Sequence, residues 1–156
     1  MLRLSRETDY GLLAMMYIAA RSEGAPAYRR EIASHYNIPP EFLAKVLQKL
    51  SRRGLIRSFR GTQGGYLLAR TPETITLADV VEAVDGPMSL VDCQRDGCAC
   101  PQEEACTVQG TLVEVQQEIR RVLGRVSLSE MRRRLKKERE PRLIALETLE
   151  ATRGTR

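Results

Sequence analysis

One stretch of the sequence decides the fold: residues 38–69 read IPPEFLAKVLQKLSRRGLIRSFRGTQGGYLLA. Its first part predicts a helix from about Pro40 to Arg53, because proline is favoured in a first helical turn and Gly54 then ends the pattern. A shorter helix, from Tyr28 to Tyr36, precedes it. Two helices joined by a tight turn are typical of a helix-turn-helix, although any helical hairpin shares part of this pattern.

The second part of the stretch predicts a β-hairpin directly after the second of these helices. Residues 55–60 form one strand, 61–65 a glycine-rich turn and 66–69 the returning strand. This order is that of a winged helix, in which the hairpin is the wing. The glycines allow close approach to a duplex, and Arg60 is placed to enter its minor groove. The alternative is a structural hairpin with an ordinary surface arginine; the order of the four elements favours DNA binding.

The outward face of the helix from Pro40 is the predicted recognition surface. Apolar spacing assigns an inward stripe to Phe42, Leu43, Val46, Leu47 and Leu50. Side chains on the opposite face carry groups that can pair with base edges, and base contacts are predicted for Glu41, Ala44, Lys45 and Gln48. Contacts to phosphate, which position a protein without specifying sequence, are predicted for Tyr28, Lys49 and Arg52. The predicted contacts of the wing are Arg60 and Gln63.

Charge is distributed unevenly along the chain. Residues 1–70 carry 12 Lys and Arg against 5 Asp and Glu, whereas residues 71–106 carry 1 against 8, and residues 107–156 carry 12 against 7. A basic first half suits a polyanionic partner, because each neutralised phosphate releases a counterion. A solvated basic surface is the alternative that charge alone leaves open.

Several classes of protein are excluded as first expectations. No apolar run approaches the roughly 18 residues of a membrane span, and the N-terminus lacks the apolar region of a signal peptide. These features predict a cytoplasmic protein that does not associate with a membrane. The chain also offers no phosphate-cradling glycine motif and no obvious catalytic base, so we predict no catalytic residues and no enzyme activity.

Further helices complete a mainly α fold. Ser5 is an N-cap for a helix to Ala20, and Thr76 with Asp79 has the spacing of a capping box. A long helix at 107–125 repeats its apolar residues at three- and four-residue steps, and pairing with a second copy is the natural way to cover that stripe. The predicted organisation is a winged helix-turn-helix domain (1–86), a cysteine-rich loop (87–106), dimerisation helices (107–140) and a tail (141–156).

The four cysteines all lie within 14 residues, at Cys93, Cys98, Cys100 and Cys106, separated by four, one and five residues. A disulfide pair is the ordinary explanation for clustered cysteines, but a reducing compartment favours a metal centre. Structural zinc sites usually use short Cys-x-x-Cys knuckles, which this loop lacks. An acidic loop between helices suits an iron–sulfur cluster that can be attacked or lost. Zinc and a metal-free thiol switch remain alternatives.

Four motifs together resemble a known family. They are TDYGLLA (8–14), RGTQGGYLL (60–68), VVEAVDG (80–86) and the cysteine loop. The chain resembles, from about residue 1 to 135, the bacterial winged-helix regulators that include the iron–sulfur cluster regulator (IscR) and the nitric-oxide-sensing repressor (NsrR). The resemblance implies a homodimeric transcriptional regulator, expected to be a repressor, that reads a partly palindromic operator. It also implies that the state of an iron–sulfur cluster, sensing nitric oxide, iron or redox state, controls its affinity for DNA.

The resemblance further implies three cysteine ligands and one other residue. The cluster-regulator branch uses a histidine three residues after the last cysteine, where this chain has Gln109. The nitric-oxide-sensing branch uses a first-helix carboxylate from the other subunit, and Asp9 matches it. The expected ligands are therefore Cys93, Cys100, Cys106 and Asp9. Six residues rather than the family's usual five separate Cys93 from Cys100. Cys98 is therefore the alternative ligand, which either replaces Cys93 or completes an all-cysteine set. This pattern favours a four-iron over a two-iron cluster.

Overall fold

The computed structural model of the chain describes residues 3–21, 24–59, 65–91, 93, 100–102 and 105–135. Five helices have defined bounds: α1 (Arg6–Ala20), α2 (Arg29–Tyr36), α3 (Pro40–Arg52), α4 (Leu77–Asp85) and α5 (Gln109–Gly124). A further helix, α6, covers 128–135. The strands are β1 (Ala27–Tyr28), β2 (Ile56–Phe59) and β3 (Gly65–Leu68). The described residues form a winged helix-turn-helix, which confirms the predicted fold class.

The helix ends follow the predicted capping chemistry. The Ser5 hydroxyl accepts a hydrogen bond from the Thr8 backbone N–H (3.0 Å) at the start of α1. Thr76 and Asp79 form the reciprocal capping box of α4. Asn37 ends α2 with φ at +52°, in the left-handed region that asparagine tolerates better than most residues. The turn between α2 and α3 is thus fixed by local sequence.

The wing belongs to a sheet with one more strand than the sequence predicts. The strand order is β1-β3-β2, and both pairings are antiparallel. β1 has only two residues and pairs with β3, which is far along the chain, so no local sequence pattern predicts it. A Cβ on Gly65 would lie 2.7 Å from the Pro26 Cβ, so the approach of β3 to the loop before β1 requires glycine.

The core forms where α1, α3 and α4 meet. Gly11 lets α1 approach α4 closely, because a Cβ there would lie only 3.1 Å from the Val84 Cγ2. Four of the five predicted inward residues of α3 are fully buried: Leu43, Val46, Leu47 and Leu50. Phe42 is 46% exposed, so its predicted place in the core is wrong. It lies at the edge of the apolar stripe, and the other four side chains already fill the space against α1 and α4.

The segment after α5 returns to this core. Leu128 is fully buried, and its backbone N–H donates to the Ile75 carbonyl (2.9 Å). The Leu77 N–H likewise donates to the Val126 carbonyl (2.8 Å). The predicted organisation places residues 126–128 with the dimerisation helices (107–140), because the pattern of apolar residues does not reveal that they pack against the start of α4. α5 is therefore attached at its C-terminal end to the winged-helix domain.

Within the ranges that the structure describes, no helix has both the length and the apolar composition needed to cross a membrane.

Candidate nucleic-acid interface and cysteine segment

The outward face of α3 presents polar groups to solvent. Glu41, Lys45, Gln48 and Arg52 are exposed, and Ala44 is half-buried at the edge of this face. The Lys45 ammonium lies 5.7 Å from the centroid of the Phe42 ring, close enough for a cation–π contact. The face therefore combines a carboxylate, an amide and cations, the groups that pair with base edges and phosphates in a major groove.

Lys49 differs from its neighbours on α3. Its ammonium pairs with the Glu7 carboxylate on α1 and donates to the Val84 carbonyl on α4 (2.9 Å). The sequence predicts a phosphate contact here, but these two partners hold the side chain against the helices behind α3. The sequence gives no sign of this arrangement, because Glu7 and Val84 are far from Lys49 in the chain. Lys49 instead fixes the recognition helix to α1 and to the end of α4.

Salt dependence separates the role of Lys49 from that of Arg52. We expect Arg52→Ala to reduce the slope of log K against log salt for duplex DNA by about one, because a phosphate contact is lost. Lys49→Met is expected to leave that slope unchanged and to lower the free energy of unfolding by about 1 kcal/mol, since the ion pair is partly exposed. Fluorescence anisotropy titrations at several salt concentrations, with thermal unfolding, measure both quantities. An equal loss of slope in both variants would contradict this assignment.

Tyr28 occupies the junction between the sheet and α2. It is half-buried as the residue before α2, and its backbone N–H donates to the Glu31 carboxylate (3.3 Å). Arg21 pairs with the same carboxylate, at 3.4 Å. Tyr28 also pairs with Gly65 across β1 and β3, so it lies beside the wing.

The wing and the start of α2 carry cations that the sequence pattern did not single out. Arg57 on β2 is exposed, with its guanidinium 5.7 Å from the centroid of the Phe59 ring. Arg29 and Arg30 line a surface cavity of about 400 Å³ beside the α2–α3 turn. Their position in the sequence could have predicted phosphate contacts. The first helix of a helix-turn-helix crosses the DNA backbone, and these two arginines stand at its start. The predicted wing residues Arg60 and Gln63 lie outside the described residues.

Three of the four cysteines are described. Cys93, Cys100 and Cys106 are half-buried free thiols. Desolvation and then the neighbouring Cys100 thiol raise the pKa of Cys93, and Cys106 adds a weaker effect in the same direction. Bound metal would therefore have to displace the proton from Cys93. The predicted alternative ligand, Cys98, lies outside the described residues.

The cysteine side chains provide suitable donors without forming a closed metal site. Among the residues that the structure describes, no three His, Cys, Asp or Glu side chains converge as they would around a metal ion. Three thiols on one short segment are nevertheless the donors that iron–sulfur clusters take. Asp9 is exposed on the first turn of α1, and among the described residues it joins no group of donors that could hold a metal ion.

The cysteine segment (residues 87–106) begins next to the end of α4, which is hydrogen-bonded to α1 and α3. The carboxylate of Asp85, the last residue of α4, accepts hydrogen bonds from the hydroxyls of Ser5 (2.5 Å) and buried Thr8 (2.8 Å). Lys49 of α3 binds the carbonyl of the preceding residue, Val84. A displacement of this end of α4 would therefore act on both α1 and the recognition helix.

α5 supports the same segment from the other side. The Leu90 backbone N–H donates to the Gln116 side-chain oxygen (3.2 Å), and Arg120 forms an ion pair with Glu82 of α4. None of the described residues covers the apolar face of α5. Val115 is 44% exposed and Val122 57%, and they line a groove of about 610 Å³ with Ile119 and Leu123. The apolar stripe predicted from the sequence is thus present and open to a partner.

Comparison with known proteins identifies the family of this arrangement. The Rrf2 family, described as iron-dependent transcriptional regulators, matches residues 4–134. The HTH-type transcriptional regulator NsrR of Halalkalibacterium halodurans is 30% identical over 131 residues, which cover 83% of this chain and 90% of that protein. The chain spans only 56% of the length of HTH-type regulators from Mycobacterium tuberculosis, to which it is 38% identical over 90 residues.

Several solved structures share the fold, and two of them are regulators of named function. CymR, the global cysteine regulator of B. subtilis, superimposes with a TM-score of 0.66 at 27% identity, covering 84% of this chain and 96% of CymR. IscR of T. potens gives a TM-score of 0.66 at 25% identity, covering 88% of this chain and 90% of IscR. The likeness spans the winged helix and the helices that follow it.

Proposed function

This chain belongs to the Rrf2 family of DNA-binding transcriptional regulators, and from that premise we propose that it is a homodimeric repressor whose affinity for its operator depends on an iron–sulfur cluster. The observation that carries the proposal is the attachment of the cysteine segment. The N-terminal side of the segment follows the end of α4, and Lys49 of the recognition helix α3 binds that end of α4. On its other side, the segment is bound at Leu90 by Gln116 of α5. The segment therefore lies between the element that reads DNA and the proposed dimer helix.

The cysteine segment is proposed to set the distance between two recognition helices. A dimer that reads a partly palindromic operator needs those helices about one DNA turn apart, roughly 34 Å. α4 and α5 are already joined by the Arg120–Glu82 ion pair. Ordering the segment would add a restraint between the end of α4 and Gln116 of α5, and Lys49 would transmit the position of α4 to α3. Loss of order would allow the spacing to vary, so we propose that the ordered form binds the operator more tightly.

The proposed ligands come from both subunits. Cys93, Cys100 and Cys106 would provide three thiolates, and the partner subunit's Asp9 would complete the set. Cys98 is the alternative to Cys93. When bound, the cluster supplies a centre that nitric oxide or oxygen can attack. A carboxylate as the fourth ligand favours a four-iron (4Fe–4S) over a two-iron (2Fe–2S) cluster.

The proposed DNA contacts use three parts of the winged helix. In the major groove, Glu41, Ala44, Lys45 and Gln48 of α3 would read base edges. Phosphate contacts are assigned to Tyr28, Arg52, Arg29 and Arg30, of which the arginines of α2 flank the cavity beside the α2–α3 turn. Arg60 and Gln63 are proposed to reach DNA from the wing. A protein of this kind acts by binding, not by catalysis, and we expect it in the bacterial cytoplasm.

The second candidate is a thiol switch without metal. Cys93, Cys100 and Cys106 are free thiols on one short segment, and oxidation of two of them to a disulfide would also fix the segment. The likeness to CymR, a global cysteine regulator, favours the same candidate, and a structure of Staphylococcus aureus CymR is of an oxidised form. In a third arrangement, a zinc ion would stabilise the fold and would have no sensing role.

Metal and sulfide content distinguishes these candidates. Protein purified without oxygen is expected to be brown, with matched iron and acid-labile sulfide. Cys100→Ser and Cys106→Ser should each abolish this content, whereas only one of Cys93→Ser and Cys98→Ser should do so. Colourless protein with one zinc per chain would overturn the sensor in favour of a zinc-stabilised regulator. Colourless protein that takes up no metal on anaerobic reconstitution would leave the thiol switch.

A further inference from the structure

Phe42 is an exposed aromatic residue on the recognition helix. It is 46% exposed, while its neighbours Leu43, Val46 and Leu47 are fully buried. Exposed apolar side chains are common on protein surfaces, so exposure alone assigns no role. The position of Phe42 is what distinguishes it, because the N-terminal residues of a recognition helix are those that meet base edges.

The backbone and a neighbouring cation determine where the ring lies. The Phe42 N–H donates to the Pro39 carbonyl (3.1 Å), which places the residue in the first turn of α3. On the next turn, the Lys45 ammonium lies 5.7 Å from the ring centroid. Lys45 belongs to the outward face of α3, so the ring flanks that face. A helix that places Lys45 in the major groove would carry the ring in with it.

The chemistry of the ring restricts what it can recognise in that groove. A phenyl ring has no hydrogen-bonding group, so it cannot bind a phosphate or pair with a base edge in the way Gln48 can. The C5-methyl group of thymine is the apolar feature that the major groove presents. Adenine, guanine and cytosine present polar groups there. The ring is therefore complementary to one base.

We propose that Phe42 is a specificity-determining residue that packs against the C5-methyl group of one thymine in each operator half-site. This inference rests on the proposed DNA-binding function and adds a base preference to it. The neighbouring Lys45 ammonium would at the same time reach an acceptor on an adjacent base or on the backbone. The resulting preference is for thymine over cytosine at a single position, read through a methyl group.

A deoxyuridine scan tests the proposal, since replacing thymine with uracil removes only the methyl group. The operator is selected from a random duplex library, and each thymine is then replaced in turn. The wild-type protein is expected to lose about fourfold in affinity at one position per half-site, which is the effect of about 0.8 kcal/mol for one buried methyl group. Phe42→Ala should bind the unmodified operator more weakly and lose nothing further at that position. Phe42→Leu, which keeps an apolar contact, should retain part of the dependence.

Phe59→Ala is the matched control. Phe59 has the same 46% exposure and a cation, Arg57, at the same 5.7 Å from its ring, but it lies on the wing. The Phe59→Ala protein is expected to lose affinity at the deoxyuridine position to the same extent as the wild-type protein. The proposal is overturned if no thymine methyl affects the wild-type protein, or if Phe42→Ala retains the effect. Failure of the wild-type protein to select any duplex would overturn the proposed function as well, so the two failures are distinguishable.

Discussion

Val122→Glu is expected to convert the protein into a monomer and to weaken its binding to a two-half-site operator by about 10²- to 10⁴-fold, the gain that linking two binding modules provides. The physical reason is the uncovered face of α5. Val122 is 57% exposed in the protomer, so the substitution should not disturb folding. In a dimer formed through this face, the new carboxylate would be buried without a partner, which costs several kcal/mol.

Gln117→Glu is the control for this prediction. Gln117 is exposed and lines the same groove, but it is already polar, so the substitution adds the same charge without replacing an apolar side chain. Analytical ultracentrifugation at micromolar concentration gives the oligomeric state, and anisotropy titration gives the affinity. We expect a monomer for Val122→Glu and a dimer for Gln117→Glu. A Val122→Glu protein that remains dimeric with wild-type affinity would show that α5 is not the dimer contact.

Local chemistry explains which parts of the fold could be predicted. The turn between α2 and α3 follows from Asn37 and the prolines before Glu41, and the start of α4 follows from its capping box. Each of these signals acts over a few residues. Spacing along one helix predicts an inward stripe equally well, and Leu43, Val46, Leu47 and Leu50 are indeed buried.

The features that the sequence did not reveal share a different cause. The partners of Lys49 could not be predicted, because Glu7 and Val84 belong to two other helices. Phe42 was misassigned because the width of an apolar stripe depends on how closely neighbouring helices approach. β1 and the burial of Leu128 also arise from pairings between distant segments. A single helix pattern carries no information about such contacts.

The candidate site was predictable in composition and not in geometry. Clustered cysteines point to thiol or metal chemistry, and basic residues point to nucleic acid. Whether Asp9 is a ligand depends on where it lies relative to the cysteines of the other subunit, which one chain does not reveal. Spacing alone also left Cys93 and Cys98 as alternatives, because it does not show which thiol faces the other ligands.

Loss of the proposed iron–sulfur cluster is the second change with a large expected effect. Cys93, Cys100 and Cys106 would no longer be tied together, and the junction at Asp85 and Lys49 would lose the restraint that we propose fixes α3. We expect operator affinity to fall by about 5- to 150-fold, the range of ordinary coupling between two sites. Cys106→Ser should bind the operator with the low affinity from the outset, and its affinity should not change on exposure to nitric oxide.

The most direct test is an anaerobic titration of operator DNA with one preparation of the protein, before and after exposure to nitric oxide. Absorption spectra recorded on the same samples follow the cluster, and Cys106→Ser serves as the unresponsive control. The predicted result is tight binding that weakens in step with the loss of the cluster absorbance. Equal affinity before and after complete loss of the cluster would contradict the claim that the cluster controls DNA binding.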